Sequence, residues 1–250
     1  MDDIKSKAVI LKLIDYSDND LICHIFTEAL GRVNVFARGA KKSRKRYPGL
    51  DLINEYEIIF KSKSDGKLSL LIDAKSLKTF EYIRKDIISF AVSSYLTELL
   101  YLASFEEDLK DASSVYYMFI KALKDLNNKV NPHAVMIKFV LEFLLFQGFI
   151  PNLLKCNDCN QNLTQTKESF FYTKEFSMLC CDCKEKLGHG FFDNQCFDDI
   201  DIKALVNILN LTAFEDNEMQ IKKYGILVKN LVNCFLQKKM KSQEFLDSFL

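Results

Sequence analysis

The chain lacks a net charge, a secretory leader pattern and any long uninterrupted apolar run. Lysine plus arginine and aspartate plus glutamate each count 34 in 250 residues, so net charge alone indicates no class of partner. The segment Met1–Lys5 shows no basic stretch followed by an apolar one, and the apolar run Phe139–Ile150 is interrupted by Glu142 and Gln147. We therefore expect a cytoplasmic protein with no membrane partner.

Motifs of catalysis are also missing. The sequence has no G-x-x-x-x-G-K-[ST] phosphate loop, no G-x-S-x-G elbow and no H-E-x-x-H metal helix. Cys23 and His24 are adjacent, but neighbours in a strand point to opposite faces and cannot act as nucleophile and base. With no catalytic constellation, the sequence favours a protein that binds over an enzyme.

Proline is scarce, and each of the three prolines lies where the hydrophobic pattern changes: Pro48, Pro132 and Pro151. Before about residue 75, short apolar or β-branched segments alternate with turn residues. We predict five strands around Ala8–Leu11, Leu21–Phe26, Arg32–Ala37, Tyr56–Phe60 and Leu68–Ile72. Five short strands in this length are typical of a small closed barrel of the OB type.

After Ser76 the spacing of the apolar residues becomes that of an α-helix. Helices are predicted to begin after Asp86, Asp111 and Asn131, and two more are predicted at Asp199–Asn210 and Glu218–Lys238. Strands followed by helices, without alternation, indicate an α+β multidomain protein. We predict a five-stranded OB-type β-barrel over 1–78, an α-helical domain over 79–150 and 193–250, and a four-cysteine zinc module over 151–192 inserted in the helical domain.

Two C-x-x-C pairs, Cys156 with Cys159 and Cys180 with Cys183, are the most specific motif in the chain. Thiolates are soft ligands, and four of them suit tetrahedral zinc. We predict one structural Zn²⁺ per chain, since four thiolates leave no open position for catalysis. Cys181 is expected to be a bystander, although it or His189 could replace a ligand.

A cationic loop follows the third predicted strand. No acidic residue lies between Glu28 and Asp51, and six of the nine residues Arg38–Arg46 are basic. The predicted DNA-binding residues are Arg32, Phe36, Arg38, Lys41, Lys42, Arg44, Lys45 and Arg46. Cations interleaved with an aromatic on one barrel face suit phosphate contact and base stacking. The alternatives are a merely solvated loop and a Phe36 side chain that points into the barrel core.

The order of these features resembles the RecO family of bacterial DNA repair proteins. Four stretches carry the resemblance: Phe26–Val33 running into Ala37–Arg44, Phe146–Leu153, the paired C-x-x-C and Lys241–Leu246. The resemblance covers nearly the whole chain. It implies a recombination mediator without bond-making chemistry that binds single- and double-stranded DNA and anneals complementary strands.

The resemblance also implies partners. It predicts contact with the acidic-hydrophobic C-terminal tail of the single-strand-binding protein through the helical domain. It further predicts that the protein works with RecR, and in many members with RecF, to load RecA onto gaps. Lysines at some arginine positions of the family's basic loop keep the charge but weaken bidentate phosphate contacts.

Two other functional classes are compatible with the sequence. A zinc-ribbon nucleic-acid-processing enzyme or accessory domain would need acidic Mg²⁺ ligands, and the nearest set is Asp198, Asp199 and Asp201. These residues are better explained as the start of the next helix. A pure protein-interaction scaffold would need no nucleic acid at all. A strand-annealing assay without ATP separates the three classes.

Overall fold

The computed structural model describes residues 3–43, 46–47, 49–62, 68–106, 111–149, 154–166, 168–172, 177–187, 196–198 and 218–249. The chain divides into two compact units, Met1–Pro132 with Met240–Phe249, and His133–Lys239. The three-part division predicted from the sequence stays a prediction about which segments fold independently.

The first unit is built on a closed five-stranded barrel. Its strands are β1 Asp3–Asp15, β2 Leu21–Thr27, β3 Gly31–Ala37, β4 Asn54–Lys61 and β5 Ser69–Thr79. The strand order is β1-β2-β3-β5-β4, with β4 pairing back to β1, and only the β3–β5 pair is parallel among these neighbours. The predicted OB-type barrel is therefore confirmed.

Buried and exposed side chains alternate along the strands, and the buried ones fill the barrel with apolar groups. Val35 and Ala37 of β3 are fully buried, whereas Asn34 before them and the cationic Arg38 after the strand are exposed. The barrel core contains Ala8, Ile10, Cys23, Ile25, Val35, Ala37, Tyr47, Tyr56, Ile58, Phe60, Leu71 and Ala74. Burial raises the pKa of the Cys23 thiol to about 12, so this cysteine packs in the core as a neutral thiol.

Strand β1 closes the barrel because it pairs on both edges. Its first half, Asp3–Val9, pairs with β4, and its second half, Ala8–Asp15, pairs with β2. The two pairings overlap only at Ala8 and Val9. The register with β2 shifts between Ile10 and Lys12, where Leu11 is an extra residue. Such a bulge bends a strand and lets one strand serve two neighbours.

Three helices belong to the same unit as the barrel: α1 Ile87–Glu106, α2 Ala112–Asn127 and the C-terminal α6 Lys241–Asp247. Asp86 caps α1 as predicted, since its Oδ2 accepts from the Ser89 N–H at 2.8 Å. In the described residues, α1 is the one helix long and apolar enough to cross a membrane, yet over half of that stretch is buried, as in an ordinary core helix.

The C-terminal helix α6 is held by α1. The Glu98 carboxylate accepts from the backbone N–H groups of Lys241 at 3.1 Å and Ser242 at 2.7 Å. A carboxylate at a helix N-terminus satisfies donors that have no partner inside the helix. Met240 and Leu246 are fully buried beside this contact, so the end of the chain is part of the first unit's core.

The second unit contains α3 Pro132–Gln147, a three-stranded sheet, α4 Cys181–Leu187 and α5 Glu218–Leu236. The sheet has the order β7-β6-β8, with β6 Glu168–Tyr172, β7 Ser177–Cys180 and β8 Cys196–Asp198. Gly148 (φ +74°) ends α3: its N–H donates to the Leu145 carbonyl and the next N–H to the Leu144 carbonyl, the Schellman pattern. The predicted helix Asp199–Asn210 lies outside the described residues.

Candidate nucleic-acid surface and metal centre

The cysteines of the two C-x-x-C pairs come together in the second unit. The Sγ atoms of Cys156, Cys159, Cys180 and Cys183 all lie within 4.8 Å of one another, and those of Cys159 and Cys180 are 3.7 Å apart. Four sulfurs at about 2.3 Å from one tetrahedral ion would lie about 3.8 Å from each other. The cluster therefore fits a single metal ion held by four thiolates.

Each cysteine pair lies on a short, well-defined turn. The Cys156 carbonyl accepts from the Asn160 N–H at 2.9 Å, and Asn160 adopts φ +59°, a left-handed conformation that asparagine tolerates. In the second pair, β7 ends at Cys180 and α4 begins directly after it, which places Cys183 in the first helical turn. The Cys180 N–H approaches the Cys156 Sγ at 3.4 Å and ties the two turns together.

Protonation of the cluster is set by burial and by backbone donors. Burial alone would raise the pKa of Cys156, but N–H groups of Cys159 and Cys180 outweigh it and lower that pKa to about 7. Burial raises the pKa values of Cys180 and Cys183. A bound cation would favour the thiolate form at all four positions, so metal binding would release protons.

Of the two alternative ligands, Cys181 does not join the cluster of four sulfurs. The Cys181 Sγ lies 3.7 Å from the Glu168 Oε2 atom and is not among the four clustered sulfurs. Adjacent positions on a helix start point in different directions, so Cys180 and Cys181 cannot both face one ion. His189 lies outside the described residues.

In the first unit, the cationic loop after β3 is anchored to the barrel at its far end. Tyr47 is 1% exposed, and its hydroxyl donates to the Leu71 carbonyl at 2.9 Å inside the barrel. The Arg46 carbonyl accepts from the Ala74 N–H at 3.0 Å. These contacts hold the backbone of the loop against β5, while the Arg46 side chain is exposed.

The start of the loop is held by the turn between β1 and β2. Gly39 adopts φ +68°, which favours glycine, and its N–H donates to the Asp20 carboxylate at 2.7 Å. The Ser17 hydroxyl donates to the same carboxylate at 2.9 Å. The Gly39 N–H, followed by the Ser17 hydroxyl, holds the pKa of Asp20 below its ordinary value. The loop is therefore held at both of its described ends, at Gly39 and at Arg46–Tyr47.

The predicted cations of this loop have different surroundings. Arg38, Lys42 and Arg46 are exposed, and Arg44 and Lys45 lie outside the described residues. Lys41 forms an ion pair with Asp15, with Nζ 2.7 Å from Oδ1, and also donates to the Ser17 carbonyl at 3.0 Å. One loop cation thus already has an anionic neighbour.

Arg32 is placed differently from the loop cations. Its guanidinium stacks 4.4 Å from the centroid of the Tyr101 ring of α1 and donates to the His24 Nδ1 atom at 2.9 Å. It also donates to the Tyr101 carbonyl at 3.3 Å. Burial, and then the Arg32 charge, lower the pKa of His24, which keeps its ring neutral and able to accept. Arg32 therefore connects the barrel with α1.

The other end of the same barrel face is open. Ile14, Ile22 and Phe36 pair in register across β1, β2 and β3 and form one outward row. Phe36 lies outside the barrel core, and its ring meets the Tyr16 ring edge-to-face, with centroids 5.4 Å apart. Tyr16 is 64% exposed. The sequence pattern does not single out Tyr16, because it follows the strand amid acidic turn residues, and only its ring contact with Phe36 of β3 reveals its position.

A closed OB-type barrel with a folded cationic loop, joined in one chain to a four-thiol module, defines a class of protein suited to binding nucleic acid rather than small molecules. Comparison with known families narrows this class. The model of a family described as Recombination protein O N terminal matches residues 1–80, and that of Recombination protein O C terminal matches residues 84–192.

Curated relatives agree over most of the chain. The DNA repair protein RecO of Desulfatibacillum aliphaticivorans is 36% identical over 201 residues, covering 79% of this chain and 68% of the relative. Those of Clostridium acetobutylicum and Clostridium perfringens are 30% identical over 188 residues and 26% identical over 251. The match to the Clostridium acetobutylicum protein covers 74% of this chain and 73% of the relative. The match to the Clostridium perfringens protein covers 97% of both. The chain belongs to the RecO family, and its role is in DNA repair and recombination.

Proposed function

We propose that the chain binds single- and double-stranded DNA through the loop after β3 and anneals complementary strands. The observation that supports this most is the anchoring of a cationic loop at both ends, by Asp20 and by Tyr47, beside an open barrel face. A fixed array of cations contacts several phosphates without first losing loop entropy. Two strands that are neutralised on one surface can then approach each other.

An annealing assay without ATP tests this proposal. Two complementary oligonucleotides, one labelled with a donor dye and one with an acceptor, should anneal faster with the protein than alone at low salt. The acceleration should fall steeply as salt is raised, because phosphate contacts release counterions. No acceleration at any salt concentration, with no DNA binding by the protein, would refute the proposal.

We also propose that the four-cysteine cluster holds one structural Zn²⁺. The near-tetrahedral spacing of the sulfurs and the all-thiolate donor set support zinc over hard cations such as Mg²⁺. When bound, the ion would supply folding free energy to the module, while Cys156, Cys159, Cys180 and Cys183 orient it. We propose no bond-making chemistry for the chain. Of the runner-up acidic set, only Asp198 lies in the described residues, in β8.

For partners, we propose RecR, the single-strand-binding protein tail and, through them, RecA and in some settings RecF, in the cytoplasm at the nucleoid. A cavity of about 470 Å³ beside α1 supports the tail contact. It is lined by apolar side chains such as Phe90 and Leu102, by Lys12 and Lys241, and by Glu98, whose carboxylate is already bonded to the backbone at the start of α6. An acidic peptide with apolar residues complements such a lining. Leu102→Glu should weaken binding of a tail peptide, measured by fluorescence anisotropy, and unchanged affinity would place the tail elsewhere.

A further inference from the structure

We propose that Tyr16 and Phe36 form a platform on which the bases of single-stranded DNA stack, so that the open end of the barrel face distinguishes single from double strands. The proposal rests on the DNA-binding function proposed above. It adds the residues that would distinguish single-stranded from double-stranded DNA. Tyr16 belongs to no motif in the sequence.

The platform is a built surface rather than a scattered set of exposed side chains. Ile14 and Ile22 lie beside Phe36 in the same row of three paired strands, which fixes its position on the sheet. The Tyr16 and Phe36 rings are nearly perpendicular, at 83°. In such a pair one ring presents its edge and the other its face, and the exposed phenol ring of Tyr16 keeps a surface open to a planar ligand.

Charge next to the platform indicates the occupant. Arg38 follows Phe36 by two residues on the same face, and Lys42 is exposed in the turn beyond it. Asp15 and Asp18 are exposed on the Tyr16 side of the platform and Arg38 and Lys42 on the Phe36 side, so a strand whose bases stack on the rings would have its phosphates neutralised on the Phe36 side. Phe245 of α6 is also exposed and its ring meets that of Phe249, with centroids 5.2 Å apart, but it lies on no barrel strand and therefore serves as a control aromatic.

Stacking on the platform would select single strands. In a duplex each base is paired and covered by its neighbours, so no face is available to an exposed ring. Phosphate contacts are available in both forms of DNA. Removing the ring should therefore lower affinity for single strands and leave affinity for duplex unchanged.

The first test is Tyr16→Leu, measured by anisotropy with labelled oligo(dT) and with a hairpin duplex. We expect about a five- to tenfold loss for oligo(dT), the lower part of the range for one base–aromatic contact, and no change for the duplex. Phe245→Leu is the matched control and should change neither. Equal losses for both DNA forms, or no loss for oligo(dT) while the loop cations still matter, would overturn the platform and leave the proposed function standing.

The second test uses the intrinsic fluorescence of the chain, which has ten tyrosines and no tryptophan. Oligo(dT) should quench part of the tyrosine emission of the wild type. Tyr16→Phe should keep the affinity, because a phenyl ring still stacks, and should lose most of the quenching. Full quenching in Tyr16→Phe would overturn the platform. A wild-type chain that binds neither DNA form would overturn the DNA-binding function and this inference together.

Discussion

At the scale of single residues, the Asp15–Lys41 ion pair places a competing carboxylate on the proposed DNA surface. The carboxylate of Asp15 is largely exposed, and it lies 2.7 Å from the ammonium that we expect to contact phosphate. An incoming phosphate must displace it. Exposed ion pairs are weak, about 0.2–1 kcal/mol, so the competition tunes affinity without abolishing it.

Asp15→Asn should therefore strengthen DNA binding, by about two- to fourfold at low salt, as the competing charge is lost. Anisotropy titrations over a salt series would measure this. Asp18→Asn, which removes a neighbouring exposed charge that has no ion pair with Lys41 in the structure, is the control and should have a smaller effect. Weaker binding by Asp15→Asn would mean that the pair holds the loop in its binding conformation.

The cysteines give a second residue-scale prediction. Cys156→Ser or Cys180→Ser should lose the metal and destabilise the second unit, because each removes one of four clustered ligands. Cys181→Ser should retain about one zinc per chain by elemental analysis, since its sulfur lies outside the cluster. Soluble, folded wild-type protein without zinc would contradict the metal assignment, and metal loss in Cys181→Ser would contradict the ligand set.

At the scale of elements, we expect the cations of the loop after β3 to bind DNA phosphates together. Replacing Lys41, Lys42, Arg44, Lys45 and Arg46 together by alanine should flatten the slope of log K against log salt by about two to three units, at about 0.7 per phosphate contact on single strands. Strand annealing should fall with it. Thermal stability and zinc content should stay close to wild type, because Tyr47 and the Arg46 backbone still anchor the loop. An unchanged salt slope would place the DNA site elsewhere.

For Arg32, which joins β3 to α1, we predict a role in stability rather than in DNA binding. Arg32→Ala removes a cation–π contact and two hydrogen bonds to groups on or beside α1, and should lower the free energy of unfolding by about 1–3 kcal/mol. Arg38→Ala, on the same strand face but exposed, should leave stability unchanged and weaken DNA binding. Thermal melts with parallel DNA titrations would separate the roles. A stable Arg32→Ala variant with a reduced salt slope would identify Arg32 as a phosphate ligand.

Elements with local signals are predictable from the sequence here, and elements defined by distant contacts are not. The alternation of β3, the Asp86 cap and the Gly148 stop all follow from residues within one turn or strand. The full length of β1 does not, because the bulge at Leu11 breaks its alternation. The anchoring of Gly39 by Asp20 joins residues 19 apart, which composition cannot reveal.

At the scale of the whole molecule, the candidate metal centre and the candidate DNA surface belong to different compact units. Removing the metal with a chelator should therefore unfold the four-cysteine module while binding of DNA by the barrel persists. Hydrogen exchange would show loss of protection in β6 and β7 with little change in β1 to β5, and anisotropy would show affinity within about twofold of the metal-bound protein. Complete loss of DNA binding on chelation would mean that the two units depend on each other.

The attachment of α6 by Glu98 has a consequence for how the chain is made. The first unit is discontinuous in sequence, since its last helix is separated from the rest by the whole second unit. On the ribosome the barrel, α1 and α2 emerge first, but Met240 and Leu246 complete their core only after residue 239 has been synthesised. A nascent chain can therefore form its barrel long before Met240 and Leu246 cover the apolar surface of the first unit. That uncovered surface is the one that chaperones would meet during translation.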